Sequence, residues 1–207
     1  MNKYRPAGVS VAVAVMAGAA LTLTMASRGA TEEPPCVVAK RWAEANRETL
    51  PTTLSTVSTL PLAYRRAAHE LLSLAQRRSL WREHLATFLE PRFALSDSQR
   101  ATIHLAISRI DRYVDAPGTS RAALGRDGFP ELVRAQFGDS LGRVIFATLG
   151  PSARLTERSG DCNCSRSEDF CGGIGGGTHC GVTDCVTTIT GCGWFWCSSC
   201  DGQCEDN

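Results

Sequence analysis

The sequence predicts an α+β chain: an N-terminal signal segment, a small all-α helical array, then a small disulfide-rich, β/loop-rich C-terminal domain. Three observations lead there. Nine of the ten cysteines lie within residues 161–207. That segment has no Leu, Pro or Lys, so it cannot build an ordinary oil-like core. Residues 36–150 instead repeat apolar side chains three and four positions apart, which places them on one face of successive helices. The boundaries that follow are 1–26 for a signal peptide or membrane anchor, 27–35 for a linker, 36–150 for the helical domain, 151–160 for a second linker and 161–207 for the cysteine-rich domain.

At the N-terminus, Lys3 and Arg5 precede an uncharged run from Ala7 to Ala26. Thr24-Met25-Ala26 offers small residues for cleavage after Ala26. A retained anchor is the alternative, because the run is long enough to span a bilayer. Either way the export machinery would deliver the rest to a secreted, periplasmic or cell-envelope location. Disulfides form and persist there.

In the helical domain, Trp42 sits in the charged stretch Val37–Glu48, and residues 52–59 suit a connector. Ala67, Leu71 and Leu74 share a face within Leu62–Ala75, and Trp81, Leu85 and Phe88 repeat that spacing up to Pro91. Ser96 followed by Gln99 is a capping-box pattern. It opens a helix expected to run from Asp97 to Val114, with Ile103, Ile107, Ile110 and Val114 as its apolar stripe, and Pro117-Gly118 breaks it. Pro130 suits the first turn of a helix through Phe137. Leu141, Val144, Ile145 and Leu149 mark the last one. Residues 151–160 have no periodicity, and Arg154 and Arg158 make them a candidate site for a processing protease.

The tail cysteines are Cys162, Cys164, Cys171, Cys180, Cys185, Cys192, Cys197, Cys200 and Cys204. A disulfide scaffold is the leading reading, since cross-links restrict the unfolded chain where burial cannot hold the fold. Zinc held by Cys197 and Cys200 with help from Cys162, Cys164 or His179 is a second. A redox Cys-x-x-Cys is a third. Neither metal nor cofactor is expected. Cys36 brings the cysteines to an even ten, so it could bridge to the tail; a remaining thiol or a pair between chains are the alternatives. The tail carries seven acids against one base, Arg166, a net −6 that leaves +7 for the remainder of the +1 chain. Val182, Val186–Thr190 and Trp194-Phe195-Trp196 have strand propensity. Alternation would send Trp194 and Trp196 to one face and Phe195 to the other, leaving at least one face exposed to a membrane interface or a partner.

No catalytic set emerges, and no enzyme is expected. His69-Glu70 is not followed by the second histidine of a zinc-protease motif. His84 and His104 lie on expected helices and read as surface or satisfied histidines. Glu83 and Glu90 read as solvated helix charges beside Arg82 and Arg92. Arg65-Arg66 and Arg77-Arg78 could touch phosphate, but acids punctuate them, so no nucleic-acid partner is expected.

At these residues the tail resembles the bacteriocin fulvocin C-related family. The likeness covers about Asp161 to Cys200. It rests on Cys162 to Ser165, the interval to Cys171 with Ser167 and Asp169-Phe170, Thr190 to Gly193, the aromatic stretch Trp194 to Trp196, and the closing Cys197 and Cys200. The helical region resembles that family's as well, in its Ala63–Arg66 and Leu80–His84 elements. The resemblance implies disulfides at Cys162, Cys164, Cys171, Cys180, Cys185, Cys192, Cys197 and Cys200. The spacings around Cys180 and between Cys192 and Cys200 depart from the family, and Cys204 is additional. The function implied is an exported precursor of a disulfide-stabilised antibacterial peptide, with the helical region as leader or folding module. Its partner would be a competitor's envelope or a receptor, contacted by Trp194, Phe195 and Trp196. Rival readings are an uncleaved envelope-associated binding or structural protein, and a protease inhibitor.

Overall fold

The computed structural model describes residues 33–150, 162, 164–167, 178–182 and 185–206. The signal segment, the 151–160 linker and Cys171 lie outside them. Residues from Glu33 onward belong to one compact unit, so the helical region and the cysteine tail share a body. The predicted α+β class is what the structure shows: eight helical segments, then short antiparallel strands cross-linked by disulfides, among the described residues.

Helix α1 (Pro35–Ala45) starts on Pro35, whose fixed φ suits a first turn. It lies along α3 (Leu62–Leu71), where Trp42 meets Tyr64 edge to face at 5.1 Å. The Ser/Thr connector contains one short helix, α2 (Leu54–Val57), whose Leu54 N–H is capped by the Glu83 carboxylate at 2.8 Å. The run expected from Leu62 to Ala75 is divided. Leu72 turns extended, and Ser73 with Gln76 forms a reciprocal capping box that starts α4 (Leu74–Phe88). Two orphan donors are satisfied there, which offsets the cost of starting a new helix. Leu80, Trp81, His84, Leu85 and Phe88 form the buried stripe of α4.

The Ser96–Gln99 box opens α5 (Asp97–Ser108) as predicted, but the helix does not reach Val114. It breaks at Arg109 and resumes as α6 (Ile110–Tyr113). The break lets Arg109 pair with Asp127 at 2.9 Å, while the Tyr113 hydroxyl donates to the same carboxylate at 2.9 Å. The Tyr113 hydrogen bond and the Arg109 charge hold the Asp127 carboxyl below its usual range. Pro117 does not end structure; it begins α7 (Pro117–Arg126). The last segment, α8 (Phe129–Phe146), is two helical pieces joined at Gly138, whose φ of 66° a side chain would resist.

The tail forms two ribbons. Strand β1 (Thr178–Gly181) pairs with β4 (Gln203–Asp206), and β2 (Thr188–Cys192) with β3 (Ser198–Cys200), both antiparallel. Disulfides Cys162–Cys185, Cys164–Cys180 and Cys192–Cys200 tie them together, and Cys204 is disulfide-bonded as well. Cys162, Cys185, Cys192 and Cys200 pack as the tail's own interior, so cystine replaces aliphatic packing.

Gly202 is where this knot is tightest: a Cβ there would sit 2.5 Å from the Gly181 carbonyl and 2.7 Å from Cys180 Sγ. Gly202→Ala is therefore expected to cost about 1–3 kcal/mol, as overpacking does. Thermal unfolding under oxidising conditions measures it. An unchanged midpoint would mean that the ribbon yields freely.

Candidate functional site

The feature that unites the two halves is a cystine-closed aromatic loop. The Cys192–Cys200 bridge spans eight positions and encloses Trp194, Phe195 and Trp196. The strand expected at these residues is not formed. They make a single 3-10 turn, with Phe195 and Trp196 at φ of 52° and 56°. Bulky side chains avoid that region, at roughly 1–2 kcal/mol per residue, so the surroundings must hold them there.

Those surroundings are the helical core. Trp194, Phe195 and Trp196 are 2%, 0% and 1% exposed. The expectation of an exposed target-binding face is thereby corrected: the loop has turned all three rings into the helices. Burial offsets the backbone cost, because large aromatic side chains contribute about 3–5 kcal/mol each when packed.

The geometry is specific. Phe195 stacks on Tyr113 at 5.7 Å and meets Trp81 edge to face at 5.2 Å. Trp196 meets His69 at 5.3 Å and Trp81 at 5.9 Å, both nearly perpendicular, and its indole N–H donates to the Ala147 carbonyl at 2.9 Å. Trp194 sits edge to face against Phe129, beneath the Arg134 guanidinium. The Cys197 thiol donates to the Tyr113 carbonyl at 3.3 Å. Trp81 is thus the hub, touched by His69, His84, Phe195 and Trp196.

Two histidines line this cradle, 2% and 3% exposed. The Trp81 indole donates to His69 Nε2 at 3.3 Å, which leaves the proton on Nδ1, and that buried atom has no hydrogen-bond partner. Burial, with help from Arg77, pushes His69 down to about 3. His84 accepts from the Gly150 N–H at Nδ1 and donates from Nε2 to the Ile145 carbonyl at 3.1 Å. Burial dominates there too, and His84 falls to about 4. Beside them, Arg65 is only 2% exposed and donates to the Leu149 carbonyl, so it is a core residue and no phosphate contact.

The other predicted site residues separate into two groups. Cys162, Cys164, Cys180, Cys185, Cys192, Cys200 and Cys204 are in disulfides. Cys36 and Cys197 stand outside the disulfides among the described residues, which corrects the disulfide assignment of both. Cys36 sits at the start of α1 and lines a cleft of about 500 Å³ between α1, α3 and β2, with Cys162 and Cys200 on its walls. Since Cys200 is bridged to Cys192, the zinc pair and the redox pair built on Cys197 and Cys200 are both set aside.

The sequence singles out His69 only as half of an incomplete zinc-protease motif, and His84 reads there as a surface or satisfied helix histidine. The available signal was the Leu80–His84 element, which supplies Trp81 and His84 to one buried face. No helix among the described residues is long and apolar enough to cross a membrane, and the disulfides fit an oxidising compartment. Compared with models of protein families, with curated proteins and with solved structures, the chain matches none of them.

Proposed function

We propose that this chain is an exported precursor in which the helical unit covers the aromatic loop of a disulfide-stabilised, bacteriocin-like tail. The observation that carries the reading is the insertion of Trp194, Phe195 and Trp196 into the helical core. The tail's own interior is cystine, so a separated tail would present three large aromatic side chains on a rigid loop. Such a surface suits a competitor's envelope or a receptor pocket. Net charge of −6 on residues 161–207 argues for hydrophobic insertion or a specific receptor over attraction to anionic lipid.

The test is cleavage in the 151–160 linker of the oxidised protein, at Arg154, Arg158 or an introduced site. The nicked halves are expected to co-elute under native conditions and to part in denaturant, because packing holds them. The isolated oxidised tail should then bind envelopes and inhibit indicator strains, and uncut protein should not. An inert tail would sink the precursor reading. The shared core favours a second reading in that event: an uncleaved, envelope-held binding protein whose cysteine tail is integral to its fold.

A further inference from the structure

We propose that the helical unit lets go of the aromatic loop in acid, when His69 and His84 take up protons: the cradle is a proton-opened clasp. If the tail is covered as proposed above, this is how it is uncovered without cutting the chain, and the inference rests on that reading only for its purpose.

His69 and His84 flank the Trp81 hub, and His69 lies against the ring of Trp196 itself. Neither can gain a proton in place without penalty. Protonated His69 would bury a cation that keeps its unpartnered Nδ1–H and loses the acceptor used by Trp81. Protonated His84 would turn its Nδ1 from acceptor to donor, facing the Gly150 N–H.

Among the described residues, no carboxylate acts on either ring to compensate. The charged group acting on His69 is Arg77 from α4, and on His84 it is Arg65 from α3; both are cations. The loop offers His69 the Trp196 indole, and α8 offers His84 only the Ile145 and Val144 carbonyls. Moving Phe195 and Trp196 out uncovers His69 directly and strips two rings from the Trp81 that lies against His84, which opens a way for water toward both and relieves the penalty.

The sign is fixed by linkage. Both groups are lowered in the docked state, so docking is fully stable above the ordinary histidine value of 6.5 and weakens as pH falls toward 4 and then 3. With two protons taken up, the docked-to-open ratio falls by up to about a hundredfold per pH unit in that window. The Asp127 pair with Tyr113 and Arg109 weakens in the same direction, within the lower carboxylate range. Disulfides do not titrate there, so the opened tail keeps its own shape.

The experiment is an acid titration of the full oxidised chain from pH 7 to 3. Near-UV dichroism reports the tryptophan cluster, far-UV dichroism the helices, and NMR the histidine rings. The near-UV signal is expected to vanish while helix content remains, and the His69 and His84 rings to change form together with that loss. The double variant His69→Gln, His84→Gln, which keeps neutral hydrogen-bonding groups, should move the midpoint down by about one pH unit or more. Should the double variant fail to fold, the ring signals of the natural chain decide alone. The clasp is overturned if those rings protonate while the loop stays docked, if the loop leaves while they remain neutral, or if helices and tertiary signal collapse at one pH. Opening that follows the histidines but leaves envelopes untouched upholds the clasp and removes the precursor reading.

Discussion

Full reduction of the oxidised protein is expected to dismantle the tail and to loosen the helical unit along with it. Each bridge contributes about 2–4 kcal/mol by restricting the unfolded chain. Cys162–Cys185, Cys164–Cys180 and Cys192–Cys200 together therefore rival the whole stability of a typical domain, about 5–15 kcal/mol. The Cys192–Cys200 bridge matters most for the helices, because it closes the loop that completes their core. Once that loop opens, the unfavourable φ of Phe195 and Trp196 is no longer imposed, and the rings can leave. The predicted state keeps helical far-UV dichroism, loses near-UV dichroism and binds a hydrophobic dye. Reduction that left the near-UV spectrum intact would show that the loop docks without its bridge.

Trp81→Ala is expected to destabilise the chain by about 3–5 kcal/mol, the range for deleting a large buried aromatic. Trp81 is 0% exposed and receives edges from both halves, so its loss leaves a cavity that neither half can refill. Trp42, half-buried at the edge of the core with Tyr64 as its aromatic neighbour, serves as the comparison, and Trp42→Ala should cost distinctly less. Denaturant unfolding of both variants measures the difference. Equal midpoints would mean that the hub carries no more than a peripheral contact.

Much of the helical unit was legible because its signals are local. The Ser96–Gln99 box, the prolines and the apolar stripes each act within one turn, and they located α5, α8 and the buried face of α4. The breaks at Leu72 and Arg109 were not legible. Arg109 turns to reach Asp127, a partner on another segment, and periodicity alone cannot anticipate such a pair. The tail's reliance on disulfides followed from its missing aliphatics. The choice of bridges did not, since pairing depends on which backbones meet, and Cys197 was claimed by a carbonyl of α6. Trp194-Phe195-Trp196 was recognised as important and misplaced. Its propensity favours an extended strand, but a 3-10 turn lets all three rings enter the helical core. His69 gave no local sign at all, because its role depends on Trp196, far along the chain.

The placement of that aromatic turn also fixes an order of assembly. Some helices, α6 with α7 and α7 with α8, pack against their neighbours in the chain, and such local structure forms early and quickly. The loop that closes their core comes after the eight described helices in chain order, and its bonds reach back 84 residues to Tyr113 and 49 to Ala147. A chain emerging from the N-terminal side therefore presents an unfilled aromatic hollow until its cysteines have arrived and been oxidised. Final compaction waits on thiol chemistry. The folding rate of this protein should therefore follow the supply of oxidant and of disulfide isomerase, while its helices appear on a timescale indifferent to both.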